Sequence, residues 1–181
     1  LDRLFNTLWA HPCFTISTVQ GVALGGGAGL LACSDHVIAL DSARIALSEA
    51  KLGILPAVIG PYVYRRVGSA QFRRLAMLAG RFDGREALNI GMIDQVSTSS
   101  EESAEMVDAV IATVMSTGPV AVTEAKRLVQ TFDRWHGTDE DLRRWTLDKT
   151  SEMRGSPEGQ EGLSAFLDRR PPAWSPEDQD G

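Results

Sequence analysis

A basic surplus, metal-ligand spacing and long apolar runs are all missing from this 181-residue chain, and each absence removes a class of function. Eighteen Lys and Arg stand against 24 Asp and Glu, a net charge of −6. That balance offers nothing to displace counterions from phosphates, so general nucleic-acid binding is excluded. The short basic clusters "YRRVG" and "FRRLA" read as solvated helix faces. The chain has only two cysteines, Cys13 and Cys33. Both have apolar neighbours and are expected to be small buried hydrophobes in a reducing compartment rather than disulfide or metal partners. His11, His36 and His136 lie in no CxxC or HExxH setting, so no metal site is expected. There is no run long enough to span a bilayer and no signal peptide, so a cytoplasmic location without membrane contact is expected. The chain opens at Leu1 in mid-pattern, as though an upstream part were missing.

What is present is glycine in an unusual place. "GVALGGGAGLLACSD", residues 21–35, sets three consecutive glycines between a β-branched run, "FTISTV", and a small-residue stretch that reads as a tightly packed helix. Glycine weakens strands and helices alike, so the triplet marks either a demanding turn or a backbone that must approach something closely.

Around it, residues 1–10 place Leu1, Leu4, Phe5, Leu8 and Trp9 on one helical stripe that Pro12 ends. A strand over 14–19 leads into the glycine turn. "HVIALD" and "RIALS" read as short strands, and "EAKLGILPAVIG" as a loop lining something. From residue 61 the texture turns helical. Ser69 is expected to cap one helix that Gly80 stops, and Asp83 to cap a short one. A brief strand falls in "MIDQVS". An amphipathic helix lies in "SSEESAEMVDAVIATVMSTG", further helices over 119–135, 138–154 and 157–168, and prolines in "RRPPAW" close the last. The domains implied are a β/α core over 1–95, a helical region over 96–175 and a frayed tail over 176–181.

A glycine turn opening a helix aims free N–H groups at one point, with the positive end of the helix dipole behind them. The spacing fits neither GxGxxG nor GxxxxGK[ST], which disfavours a nucleotide cradle and favours a carbonyl oxygen held in an oxyanion hole. Glu49, in "ALSEAKLGI", is the second element. A lone loop glutamate is usually just solvated, but an acid beside an oxyanion hole is what α-proton chemistry on an activated carbonyl needs.

The run "GVALGGGAGLLACSDHVIALDSARIALSEAKLGILP", with "GRFDGREALNIGMIDQV", "TGPVAVTEAKRLV" and "EGLSAFLDRRPPAW", resembles the enoyl-CoA hydratase/isomerase (crotonase) superfamily over nearly the whole chain. The resemblance implies an α/β fold of repeated ββα turns followed by a helical trimerisation region, with the N-terminal part of the fold absent from this chain. It implies an acyl-CoA substrate, no separate cofactor, and a homotrimer or dimer of trimers. Gly26 matches the glycine whose N–H contacts the thioester oxygen, and Glu49 matches the second catalytic glutamate. Gly25, Gly29, Leu52, Pro56 and Tyr62 fall at the implied substrate site, and Arg169 where a basic residue reaches CoA. Two departures stand out. The family's first glutamate would lie at position 29, which is glycine here, and the second oxyanion donor would lie upstream of Leu1.

"LGILPAVIGPYVYRRVG" is similar to hydratases of branched, carboxylated enoyl thioesters, of the methylglutaconyl-CoA type. The expected activity is therefore hydration or dehydration of such a thioester. A Δ3-Δ2-enoyl-CoA isomerase using one glutamate, a dehydratase of a carrier-protein-bound thioester in polyketide β-branching, and a catalytically silent binding subunit remain alternatives. Tyr62 and Tyr64 are candidates for the acyl pocket against a core role, and Arg65 or Arg66 for a substrate carboxylate against a solvated face.

Overall fold

The computed structural model describes residues 1–176. Its contacts divide into two units. The first is Leu1–His11 with Thr15–Ala109, and the second is Pro12–Phe14 with Val110–Gly181.

The first unit runs α1 (Asp2–Trp9), β1 (Ile16–Val19), β2 (Val22–Leu24), α2 (Gly26–Cys33), β3 (His36–Leu40), β4 (Arg44–Ala46) and a 3-10 turn over Glu49–Leu52. It continues through α3 (Gly60–Leu78), α4 (Gly84–Asn89), β5 (Gln95–Ser97) and the start of α5 (Ser100–Met115). The strands form two short parallel sheets, one ordered β1-β3-β5 and the other β2-β4. Ile16 pairs with His36 in the first and Val22 with Arg44 in the second. Both ladders are parallel, so the turn β3-β4 stacks on β1-β2 as one ββ unit on another. The strand expected over 14–19 is β1, and after a bend at Gln20–Gly21 the chain adds a second short strand, β2, in the other sheet.

Helix α2 is apolar on every side and buries Ala28, Leu31, Ala32 and Cys33, as a helix with no polar face must. It packs against α1, α3 and β2. Of the α1 stripe only Phe5 is buried, whereas Leu1 and Leu4 are exposed. The core continues through Val37, Ile45, Val63 and Met92.

The helical stretch expected as two pieces over 61–80 is α3, broken at Gly68, whose φ of 75° and ψ of 169° leave the helical region. Its stop is Ala79 in the left-handed region rather than Gly80, and no Ser69 cap bond is present at its start. Asp83 caps α4 by accepting the Glu86 N–H at 2.9 Å, as its position before the helix predicts.

The contacts divide between Ala109 and Val110, inside α5. The reason is β5, which pairs with β3 through Ile38 and Gln95, while the Ser97 hydroxyl bonds that of Ser103 in α5 at 2.5 Å. The second unit carries α6 (Pro119–Asp133), α7 (Asp139–Gly155) and α8 (Pro157–Asp168). Glu158 of α8 accepts the first amides of α6, Val120 N at 2.9 Å and Ala121 N at 2.8 Å. Thr138 and Asp141 form a reciprocal capping box on α7. Most of the tail expected to be frayed lies outside the described residues. Among the described residues no single helix is long and apolar enough to cross a membrane.

Candidate active site

The glycine turn and Glu49 meet because the β2-β4 ladder runs in step. Leu24 pairs with Ala46, and the Gly25 N–H extends the ladder to the Ala46 carbonyl at 2.9 Å. The chain leaving β2 therefore lies beside the chain leaving β4, and residues more than twenty apart in sequence become neighbours. Gly25 is the N-cap of α2 with φ 49° and ψ −112°, a conformation that excludes ordinary side chains. A Cβ built there would stand 3.1 Å from Glu49 Oε1 and 3.7 Å from Ser48 Oγ. The glutamate carboxylate thus lies over the bare backbone of the turn.

Two unmet hydrogen-bonding needs converge here. No side chain caps α2, and the first N–H groups of any α-helix have no intrahelical acceptor. Opposite them, Glu49 Oε2 is buried with no hydrogen-bond partner. A buried polar atom left unpaired costs about 1–3 kcal/mol or more, and such atoms are rare outside sites with a task. Glu49 itself is held from behind. It opens the 3-10 turn, its carbonyl accepts the Ile54 N–H at 3.2 Å, and Gly53 closes the turn in the left-handed region.

The other expected site residues scatter. Gly26 sits in the first turn of α2, with room for a Cβ 3.9 Å from Phe5 Cζ. Gly29 is buried one turn into α2, where the neighbours are Ile59 and Phe5. Leu52 is 73 % exposed at the end of the 3-10 turn, while Pro56 is buried. Tyr62 lies in the core. It is 8 % exposed and packs between Phe5, at 6.1 Å, and Trp9, at 6.0 Å between ring centroids. Tyr64, on the other side of α3, lines an apolar groove of about 430 Å³ with Leu55, Pro56, Gly60, Phe72 and Ala76. Arg169 belongs to the second unit, exposed at the C-cap of α8.

The two arginines weighed between a substrate carboxylate and a solvated face are both engaged within the first unit. Arg65 lies over the Trp9 ring, 5.1 Å from its centroid. Arg66 donates to the Met92 carbonyl at 2.7 Å, to the Ser34 carbonyl at 2.9 Å and to Asp94, tying α3 to the end of α2 and to the segment that leads into β5. Cys13 is exposed, contrary to expectation, because it precedes β1 in a stretch that buries nothing. Cys33 is buried in α2, and burial pushes its thiol up to about 12. Two residues at the site carried no signal in the sequence. Phe5 and Ile59 read only as generic apolar positions, and their meeting over α2 depends on how three helices pack.

The chain matches the sequence model described as "Enoyl-CoA hydratase/isomerase" over residues 1–177. It belongs to the enoyl-CoA hydratase/isomerase family. Among solved structures it superposes on Pseudomonas aeruginosa AtuE with a TM-score of 0.91 and 36% identity, covering 96% of this chain and 67% of that one. It is 27% identical to a putative enoyl-CoA hydratase of Thermus thermophilus, over 96% of this chain and 68% of the relative. It is 30% identical to the mitochondrial methylglutaconyl-CoA hydratase of Rattus norvegicus, over 98% of this chain and 57% of the relative. The chain therefore spans about two thirds or less of the length of these hydratase-family relatives. The ββα stacking, with a glycine turn at the head of a buried helix, is the crotonase-like fold.

Proposed function

We propose that this chain carries the catalytic turn and acid of an acyl-CoA hydratase or dehydratase acting on an α,β-unsaturated thioester. The observation that carries the reading is the Glu49 carboxylate, with one buried oxygen unpartnered, lying over the glycine turn that opens α2. The thioester carbonyl oxygen is held by the Gly26 N–H, where the helix dipole favours the negative charge that develops. Glu49 takes a proton from water, and the water oxygen bonds to Cβ. The C=C electron pair moves into the thioester enolate, and the proton on Glu49 then passes to Cα as the carbonyl reforms. Dehydration is the reverse, and one carboxylate suffices for either direction. Coenzyme A arrives with the substrate, and no separate cofactor takes part.

The substrate class proposed is a branched, carboxylated enoyl thioester such as 3-methylglutaconyl-CoA, supported by the 30% identity to methylglutaconyl-CoA hydratases. The commitment of Arg65 and Arg66 elsewhere weighs against a carboxylate being read by this unit. A Δ3-Δ2-enoyl-CoA isomerase is the second reading, favoured by the glycine at position 29, which leaves Glu49 as the acid facing the turn. A homotrimer or dimer of trimers in the cytoplasm is proposed with it. The apolar side chains that the second unit exposes, among them Val129, Phe132, Leu147, Phe166 and Leu167, support such an assembly.

The test offers the protein 3-methylglutaconyl-CoA, crotonyl-CoA and a 3-enoyl-CoA side by side, following the conjugated enoyl thioester absorbance. Turnover of the branched acid alone supports the hydratase, and conversion of the 3-enoyl substrate without water uptake supports the isomerase. Glu49→Gln is expected to lose turnover about 10²- to 10⁴-fold while still binding acyl-CoA. Retained turnover in that variant would remove Glu49 from the chemistry. Silence of the wild type on all three substrates would point to a carrier-protein thioester or a binding subunit.

A further inference from the structure

Two glycines one turn apart on α2 face different neighbours. A Cβ at Gly25 would stand 3.1 Å from Glu49 Oε1. At Gly29 it would stand 2.4 Å from Ile59 Cγ2, 2.9 Å from Ile59 Cβ and 3.1 Å from Phe5 Cε1. The Gly29 N–H donates to the Gly25 carbonyl at 3.0 Å, so the two glycines lie one helical turn apart, about 6 Å along the axis. The Glu49 carboxylate and the Ile59 side chain therefore border successive turns at the head of α2.

Ile59 has little freedom to leave. It is 3 % exposed, and its carbonyl accepts the Tyr62 and Val63 amides at 3.1 Å each, which forms the first turn of α3. Phe5 is fully buried and braced by Tyr62. A methyl group at position 29 would already collide with Ile59 on a branched carbon that cannot rotate aside without unseating the start of α3. Position 29 is closed to every side chain, acidic ones included.

We propose that Ile59 is a positioning residue of the site. By filling the space that a side chain at position 29 would need, it keeps a second acid out of position 29 and leaves the proton transfers to Glu49. The inference rests on the reading of Glu49 as the acid and base of a thioester enzyme. Its consequence is that one carboxylate makes both transfers. The proton Glu49 removes from water or carbon is the one it returns to the substrate, and Glu49 ends each cycle ionised as it began.

The experiment uses the full chain in five forms: wild type, Gly29→Glu, Gly29→Glu with Ile59→Gly, Glu49→Gln, and all three changes together. Melting temperature is measured without substrate, and turnover on 3-methylglutaconyl-CoA, crotonyl-CoA and the 3-enoyl-CoA. Gly29→Glu alone is expected to melt lower and to lose turnover, and adding Ile59→Gly is expected to restore the melting temperature. The decisive readout is proton handling, which packing alone would not change. The triple variant, with an acid at 29 and none at 49, is expected to turn over at least tenfold faster than Glu49→Gln alone. The proposal is overturned if Gly29→Glu folds and works like the wild type with Ile59 in place. It is equally overturned if the triple variant is no more active than Glu49→Gln. A wild type inactive on all three thioesters would sink the functional reading instead, and the substrate-free coupling of melting temperatures keeps the two failures apart.

Discussion

Adjacent glycines in the turn are expected to respond in opposite ways to the same added methyl group. Gly25 has φ 49° and ψ −112°, outside even the left-handed helical well, so Gly25→Ala forces alanine into a conformation that costs about 1–3 kcal/mol. In a chain of this size that corresponds to a fall in melting temperature of about 2–12 °C. The new methyl would also press on Glu49 Oε1 from 3.1 Å, so the carboxylate must retreat by a few tenths of an ångström. A 1 Å misplacement costs roughly 100-fold in rate, which makes the expected loss in kcat about three- to sixfold. Gly26→Ala meets nothing closer than Phe5 Cζ at 3.9 Å and needs no unusual backbone. It is expected to hold or raise stability by about 0.4–1 kcal/mol, because alanine has less conformational freedom to lose on folding. Thermal denaturation and steady-state kinetics on both variants are the assay. If Gly25→Ala melts as high as Gly26→Ala, the placement of Glu49 over a strained glycine is wrong.

Three further outcomes are expected. Arg66→Ala should lower stability by about 2–4 kcal/mol in denaturant titrations, since it strips three hydrogen bonds that join α3 to Ser34, Met92 and Asp94. Arg66→Ala should also leave the ranking of thioester substrates unchanged; a changed ranking would return Arg66 to the substrate. Glu161 accepts from Arg170 and from the Ala173 amide, and these bonds pull its carboxyl down from an ordinary 4.5 to about 2. A depressed acid stabilises above its unfolded value and loses that contribution as pH falls. The strap at Arg170–Ala173 should therefore stay docked near neutrality and release between about pH 4.5 and 2, followed by fluorescence of the neighbouring Trp174. In the native protein a thiol reagent near pH 8 should modify exposed Cys13 and spare Cys33, whose thiol is pushed up to about 12; two rapid equivalents would contradict the burial of α2.

Local chemistry made much of this protein readable in advance. The glycine triplet at 25–27 could only be a turn or a close approach, and the structure makes Gly25 a positive-φ cap on a helix with no polar face. Asp83 before a short helix acts through its own hydrogen bond to that helix, and it fell where the pattern put it. The pairing of the glycine turn with Glu49 was legible as a combination of residue types, although nothing local fixed their distance.

Relations between distant segments were decided by tertiary structure alone. The parallel register of β2 on β4, not any motif, carries Glu49 to the turn. Tyr62 and Tyr64 are two residues apart on a helix, so they face different ways, and only the packing of α1 and α2 chose Tyr62 for the core and left Tyr64 to the groove. Arg66 looked like a surface charge until Asp94 and two carbonyls from other elements were brought to it. The Ile59 side chain takes its meaning from an absence thirty residues earlier, at Gly29. A sequence determines what each residue can do with its neighbours in the chain. Which of those capacities is used depends on what the fold places opposite it, because burial and pairing are properties of surroundings rather than of residues.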